Sequence, residues 1–257
     1  KLAAPGNIHL HVDLIAGLPF ESFAGFQKSY NRVYALEAEH FQCGFLKVLP
    51  GTEMQNRAED YLLEFSSDAP YEIISNRWIS GNEMTFLKKI SVFTGLIRNS
   101  GRFKTSEMLM ISHYDNPFNF YEDIVSVSSE MDSISLRSWE SIASLIIKIC
   151  LDKFPGELPV LTDSLRWDWC VSMKSHHYPE ILKSDLTLEA KREGYRYFIE
   201  KSTDNIITFN EFTFPGNLLR RSIFFRPVTD IFMNKYMAGT DALFLPDKRI
   251  IFYNCRN

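Results

Sequence analysis

The chain lacks the closely spaced cysteines that build disulfide frameworks and most iron or zinc sites. Its four cysteines, Cys43, Cys150, Cys170 and Cys255, lie far apart, and no C-x-x-C spacing occurs. A secreted disulfide scaffold would be shorter and richer in cysteine. We therefore expect reduced thiols in a cytoplasmic protein.

Long apolar runs and basic clusters are also missing. No stretch approaches the roughly 18–20 apolar residues that cross a bilayer. The net charge is -4, and the Arg220-Arg221 pair is too short to provide a nucleic-acid footprint. These absences argue against both a membrane partner and a nucleic-acid partner.

Several common catalytic motifs are absent as well. The sequence has no G-x-S-x-G elbow, no Walker loop, no G-x-G-x-x-G and no H-E-x-x-H. What it does have is apolar material: 45% of its 257 residues are hydrophobic, including 21 Phe and 11 Tyr. That is enough to fill one large core or two modest ones.

The first part of the chain has the pattern of a parallel βαβ unit. We predict a strand over 7–16 that ends in a Gly-Leu-Pro turn, a helix over 21–36, a strand over 40–53 that is broken by a Pro-Gly pair, and a short helix over 54–65. The connection is short enough for the usual right-handed crossover.

Helical patterns dominate after residue 66. We predict helices over 80–100, 116–131, 138–153, 158–173 and 186–201, and strands over 206–214, 222–228 and 242–253, the last of these being a hairpin. We therefore divide the chain into residues 1–65 and a mainly helical domain over 66–257. The expected fold is an α/β unit followed by a mainly α domain with a small antiparallel β element near the carboxyl terminus, α+β overall.

Two motifs end the predicted strands of the βαβ unit. They read DLIAGLPFES over 13–22 and FLKVLPGTEM over 45–54. They resemble the D-x-I-x-G-L-P-x-E and L-x-x-x-P-G-T segments that end consecutive late barrel strands in radical S-adenosylmethionine (SAM) enzymes. The later segments PYE, NSGRF and LRWDW resemble segments of one subgroup of these enzymes. Members of that subgroup join a cobalamin-binding domain and a radical SAM barrel to a helical domain.

This resemblance implies that the chain holds the last βαβ of a TIM-like partial barrel. The parent enzyme would be an Fe–S oxidoreductase that reductively cleaves SAM at a [4Fe–4S] cluster, with cobalamin as an optional second cofactor. The residues that the resemblance places near SAM are Asp13, Ile15, Gly17, Leu18, Pro19, Glu21, Leu46, Pro50 and Gly51.

One departure from that family is severe, because the C-x-x-x-C-x-x-C loop that holds the cluster is absent. We therefore expect a carboxyl-terminal fragment of a larger enzyme that by itself is inactive, binds no cofactor and contains no catalytic or metal-binding residue. Its expected partners are an amino-terminal barrel and a cobalamin-binding domain of the same polypeptide. The uncovered edge of the first strand favours self-association.

Several residues near the start allow two interpretations. Glu21 would bond near SAM or act as a first-turn acid that the helix dipole favours. His11, next to Asp13, would lie near substrate in the whole enzyme. For Asp13 itself we prefer a buried hydrogen-bonded carboxylate. His9 and His11 share one side of a strand and could reach a metal, but no third ligand is indicated, so we favour a barrel-lining role.

The helical half offers weaker candidates. Segment 71–78, which contains Trp78, would close over the barrel mouth or, as we prefer, form an interdomain core. Asp163, Arg166 and Asp168 read as a salt-bridged helix face, and 176–177 as solvated loop histidines.

Two alternative functions remain open from the residues alone. One is a non-catalytic binding or interaction module in which the βαβ unit is only a scaffold. The other is an unrelated metal hydrolase that uses His9 and His11.

Overall fold

The computed structural model describes residues 10–128, 137–172, 175–229, 232 and 240–255. Two compact units make up the chain. The first unit contains the residues up to Ser100 and those from Ile111 to 128, and the second contains Gly101–Met110 and the residues from 137 onward. Helices and small sheets are combined in both units, which confirms the expected α+β fold class.

The first unit opens with the predicted βαβ arrangement. Strand β1 (His11–Ala16), helix α1 (Phe23–Tyr34) and strand β2 (His40–Phe45) follow one another, and the two strands pair in parallel. Helix α1 begins at Ser22, whose hydroxyl accepts a hydrogen bond from the Gly25 N–H at 3.2 Å. A serine before an apolar helical stripe is the local signal that starts this helix.

The two faces of the β1–β2 sheet differ. Phe41 and Cys43 are buried on the side of α1, where the Tyr30 ring lies 4.9 Å from the Phe41 ring. On the opposite side, Asp13 and Gln42 are exposed. This period-two alternation produces one buried face and one open face.

The outer edge of β2 is covered by side chains. Asn99 accepts from the Phe41 N–H at 3.1 Å and donates to the Phe41 carbonyl at 2.8 Å. The Ser91 hydroxyl donates to the Cys43 carbonyl at 2.9 Å. Among the described residues, β1 has no strand partner other than β2. Backbone groups are thus satisfied on the β2 side.

The remaining elements of the first unit follow in chain order. They are α2 (Glu53–Asn56), α3 (Ala58–Tyr61), β3 (Glu64–Phe65), β4 (Ile73–Ser75), α4 (Gly81–Thr94), a π-helical turn (Gly95–Asn99) and, after helix α5 (Lys104–Ile111), helix α6 (Pro117–Val127). The predicted capping box of Ser80 and Glu83 starts α4, and Asn116 with Pro117 starts α6, so both predictions are confirmed.

Helix α5 (Lys104–Ile111) belongs to the second unit except for its last residue. The elements between residues 66 and 100 lie in the same unit as β1 and β2, although the sequence division at 65 separates them. The barrel assignment of residues 1–65 stays a prediction.

The second unit combines three long helices with two small antiparallel sheets. These elements are α7 (Trp139–Lys153), α8 (Leu158–Ser172), α9 (Asp185–Ile199), β5 (Ser202–Thr203), β6 (Ile206–Phe209), β7 (Phe212–Pro215), β8 (Ile223–Phe225), β9 (Asp241–Phe244) and β10 (Ile250–Tyr253). The helices and the terminal β9–β10 hairpin are confirmed. The single strand predicted over 206–214 is wrong: Asn210 has a φ of 52°, and this turn makes a β6–β7 hairpin.

Buried charges of α8 hold distant parts of the second unit. The Asp168 carboxylate accepts from the Thr105 N–H at 2.9 Å, the Ser106 N–H at 2.8 Å and the Ser106 hydroxyl at 2.6 Å. The two N–H groups lie in the first turn of α5, where no helical carbonyl is available to accept from them. Asp168 therefore caps a helix more than 60 residues away in sequence.

Asp163 and Arg166 also bind segments that are distant in sequence. Asp163 accepts from the N–H groups of Val228 and Thr229, each at 2.9 Å, and Arg166 donates to the Ser184 hydroxyl at 3.0 Å. An Nη1–Oδ1 distance of 3.9 Å joins Arg166 to Asp163. The predicted ion pair is present, but both residues are buried rather than on a solvated face.

Gly194 provides a test of the packing of α9. A Cβ at this position would overlap the Phe224 ring and the Tyr253 hydroxyl. Gly194→Ala should therefore lower the free energy of unfolding by about 1–3 kcal/mol, although alanine normally favours a helix. Gly156→Ala is the control, since nothing lies within 4 Å of its added Cβ. Urea unfolding followed by circular dichroism gives both values, and equal effects would contradict the packing argument.

Asp168 provides a test of pH dependence. Burial raises its pKa to about 6 from 3.8, against the hydrogen bonds to Ser106 and Thr105 that favour the carboxylate. Between about pH 4 and 6 the folded state holds a proton that the unfolded state has lost, so stability falls as pH rises, by about 3 kcal/mol in total. Asp168→Asn should remove this slope, and Asp152→Asn, on an exposed position, should keep it. Unfolding free energies at pH 4.5, 5.5 and 6.5 measure it; identical slopes in wild type and Asp168→Asn would refute it.

Candidate functional site

The turn after β1 is closed by protein rather than open to a ligand at its glycine. Gly17 is buried with a φ of 88°. A Cβ on Gly17 would lie 2.9 Å from Ile73 Cγ2 and 3.1 Å from Met84 Cε. Packing by β4 and α4 therefore accounts for the glycine, and these side chains occupy the space beside its backbone.

Asn76 connects this turn to the loop after β4. Its side-chain N–H donates to the Gly17 carbonyl at 2.9 Å. Its Oδ1 accepts from the N–H groups of Trp78 at 2.9 Å and Ile79 at 2.8 Å. Asn76 is buried, and its one side chain satisfies three backbone groups, of which the Gly17 carbonyl and the Ile79 N–H are in buried hydrogen bonds.

This connection brings three aromatic rings together beyond the carboxyl end of β1. We call Phe20, Tyr61 and Trp78 the aromatic cluster. The Phe20 ring lies 4.8 Å from the Trp78 ring and 5.7 Å from the Tyr61 ring, and the Arg57 guanidinium lies 4.6 Å from the Tyr61 ring centre.

Phe20 is unusual in two ways. Its side chain is 74% exposed, although it is one of the largest apolar groups. Its φ is 69°, a left-handed conformation that costs an ordinary residue about 1–2 kcal/mol. Strained residues that the surroundings hold in place concentrate at functional sites. Phe20 is therefore the first candidate for ligand contact.

The other predicted residues of this turn lie beside the cluster. Leu18 is exposed and Pro19 is half-buried. Glu21 is half-buried and accepts a hydrogen bond from the Ser29 hydroxyl at 3.0 Å. Helix α1 begins after Ser22 and has no acid in its first turn, so the first-turn interpretation of Glu21 is wrong. Glu21 precedes the helix and bonds to Ser29 within it, while Leu18 faces solvent together with Phe20.

The end of β2 is more open. Leu46 is half-buried; its N–H donates to the Ala16 carbonyl at 2.9 Å, which continues the pairing with β1, and its carbonyl accepts from the Ile73 N–H at 2.9 Å. Pro50 and Gly51 are exposed. Gly51 has a φ of 78°, nothing lies within 4 Å of an added Cβ, and its N–H donates to Gln55 at 2.8 Å. Free space for a ligand therefore exists here and not at Gly17.

Asp13 and Ile15 lie on the open face of the β1–β2 sheet. Ile15 is 44% exposed and Asp13 is exposed. The preferred interpretation of Asp13 as a buried carboxylate is therefore wrong. No described element covers this face. His11 is on the same face, and His9 lies outside the described residues.

The cysteines do not form a cluster site. All four are free, and burial raises the pKa of Cys43 and of Cys170 to about 12. Both are thiols at neutral pH, whereas iron–sulfur ligation needs thiolates. In the described part of the chain, no three His, Cys, Asp or Glu side chains group as metal ligands. A [4Fe–4S] cluster does not fit these residues.

The second unit contains a cavity of about 490 Å³. Its lining is Glu189, Glu193, Arg196, Tyr197, Glu200, Arg226 and Cys255. Arg226 is buried and donates to Asp241 at 2.8 Å and to Glu193 at 2.9 Å. The guanidinium donors are thus directed to the protein's own carboxylates, and the network stabilises the second unit.

A comparison with protein families places the chain. Residues 59–233 match a family described as "Protein of unknown function (DUF4080)". The chain belongs to the DUF4080 family. The match begins at α3 and includes Tyr61, Asn76, Trp78 and the buried charges of α8, but not β1 or β2. No curated protein matches the chain.

This DUF4080 chain shows no membrane-crossing element in the residues that the structure describes, since none of their helices is both long and apolar enough.

Sequence reasoning missed Phe20, Tyr61 and Asn76 as site residues, and it assigned Trp78 to an interdomain core. The Gly17 turn indicated where the site lies, but Asn76, whose side chain donates to the Gly17 carbonyl, lies 59 residues later in the sequence. A polar residue two positions before a tryptophan in a short loop was the available signal.

Asn76 provides a test of the site's construction. Asn76→Ala leaves three backbone groups without partners, so the unfolding free energy should fall by about 2–4 kcal/mol. Trp78 should become more solvated, and tryptophan emission should shift to longer wavelength. Asn56→Ala, at the exposed end of α2, is the matched control. Equal stability of the two variants would show that Asn76 does not hold the turn.

Proposed function

We propose that this chain provides part of the SAM-binding wall of a radical SAM enzyme. The observation that carries the proposal is the exposed, left-handed Phe20, which directly follows the G-L-P turn of β1 and packs on Trp78. Ligands of parallel α/β folds bind at the carboxyl ends of the strands. The association of the DUF4080 family with radical SAM and cobalamin-binding proteins supports the proposal.

The residues at this end suit the parts of SAM. The adenine ring is planar, and an exposed aromatic face stacks on such rings. Leu18 adds apolar surface beside Phe20, and Gly51 leaves space at the end of β2. In this arrangement Phe20 and Leu18 bind and orient the adenosyl group, and the aromatic cluster excludes water from it.

Bound SAM would supply a carbon radical after reductive cleavage. The described residues provide no ligands for the [4Fe–4S] cluster that such cleavage requires. The role proposed for this chain is therefore restricted to binding and orientation. The cluster and the optional cobalamin would be held by other parts of the enzyme, and a reducing compartment such as the cytoplasm suits four free thiols.

The open face of the β1–β2 sheet also supports this proposal. Barrel strands direct alternate side chains toward the interior. On β1, the alternate residues Asp13 and Ile15 lie on the open face, and Gln42 lies beside Asp13 on the same face of β2. We infer that this face is directed toward the barrel interior and that the free edge of β1 accepts a further strand, from the same polypeptide or from a second copy.

A second candidate function is a non-catalytic interaction module. The exposed Leu18, Phe20 and Leu62 would also suit a protein partner. The two functions differ in whether SAM binds and is consumed.

The experiment compares three proteins that are expressed with any coding sequence that precedes Lys1. These are the wild type, Phe20→Ala, and Phe252→Ala as a control on an exposed phenylalanine of the second unit. After anaerobic reconstitution with iron and sulfide, equilibrium dialysis measures SAM binding and chromatography measures 5'-deoxyadenosine. Phe20→Ala should weaken SAM binding at least about fivefold, because stacking on one ring contributes about 1–3 kcal/mol. Phe252→Ala should match the wild type.

Three results would contradict the proposal. They are no SAM cleavage by the reconstituted wild type, equal SAM affinity of wild type and Phe20→Ala, or SAM cleavage by residues 1–257 alone. The first would favour the interaction module.

A further inference from the structure

Two histidines lie side by side at the amino ends of β1 and β2. The strand register places His11 opposite His40, and their ring centres are 4.9 Å apart with planes inclined by 33°. They share the open face of the sheet. The carboxyl end of β1, where the aromatic cluster begins, is five residues farther along, or about 16 Å at 3.3 Å per residue. The histidine pair is therefore distinct from the proposed SAM wall.

Neither imidazole has a polar partner within the described chain. No described residue forms a hydrogen bond or an ion pair with the ring of His11 or His40. His11 is exposed and His40 is half-buried. The ring nitrogens are thus not used by the fold, although the sheet holds the two rings next to each other.

We propose that His11 and His40 chelate one divalent transition-metal ion of the zinc, nickel or copper class. Neutral imidazole suits these metals, and each nitrogen would bind at about 2.0–2.1 Å. Rings in register on adjacent strands need only side-chain rotation to direct one nitrogen each toward a common point. The metal would join β1 to β2 across the open face.

The site has two protein ligands. No third His, Cys, Asp or Glu among the described residues groups with the pair, so water completes the coordination. Asp13 and Gln42 follow on the same face, two residues farther along their strands. At about 6.6 Å from the histidines, they are placed to accept hydrogen bonds from metal-bound water rather than to bind the metal.

A second histidine pair in the chain provides a matched control. His176 and His177 have ring centres 4.1 Å apart and are both exposed. They are consecutive in a loop, whereas His11 and His40 are 29 residues apart and fixed by the sheet. If proximity alone were sufficient, the loop pair would bind metal at least as well.

The test is isothermal titration of the metal-free chain with zinc chloride, and then with nickel and magnesium chloride. We expect one zinc per chain, nickel binding at the same site and no magnesium binding, since magnesium prefers oxygen ligands. His11→Ala and His40→Ala should each weaken zinc binding at least tenfold. The double variant His176→Ala/His177→Ala should leave that site unchanged. His40→Gln is a second variant in case alanine disturbs β2.

Thermal unfolding with and without zinc is the second readout. Because the metal binds only the folded sheet, zinc should raise the melting temperature of the wild type and not of His40→Gln, while the two proteins melt alike without metal. Zinc binding that survives His40→Ala and His40→Gln, or that is lost in the loop double variant, would overturn the proposal. Zinc binding that is detected only at millimolar concentrations would also overturn the proposal, because it would indicate an adventitious ion only. Phe20→Ala should leave zinc binding unchanged, so the zinc-site proposal is tested independently of the SAM proposal.

Discussion

The second unit depends on the requirement that buried backbone N–H groups find acceptors. Helix α8 meets it with carboxylates: Asp168 caps α5, and Asp163 holds the segment at 228–229. A buried carboxylate is stable only when it is paired or hydrogen-bonded. The charge and the backbone groups thus satisfy each other, and the carboxylates of α8 fix the positions of two other segments.

The first unit meets the same requirement with a neutral side chain. Asn76 satisfies the turn at Gly17 and the loop at Trp78. An amide supplies both a donor and an acceptor, which a carboxylate cannot do. Because this connection is buried and complete, Phe20 is held exposed in a strained conformation without opening the core. The exposed aromatic surface and the buried hydrogen bonds that stabilise the turn thus belong to neighbouring residues.

Local signals predicted much of this fold, and long-range partners escaped prediction. The capping box at Ser80, the Asn116-Pro117 start and the apolar stripe of α7 each lie within a few residues, so sequence alone located them. The hairpin at Asn210 was missed because alternation continues through its turn. Contacts such as Asn76 with Gly17, or His11 opposite His40, depend on register and packing between distant segments, which no local pattern encodes.

The side chains that cover the outer edge of β2 limit how the chain can assemble. Asn99 and Ser91 occupy backbone groups that another strand would need. Two copies that met at their β1 edges would form a four-stranded sheet whose two outer edges were already covered. Such an association is closed after two subunits, whereas a sheet with both edges free could add subunits without limit and form fibres.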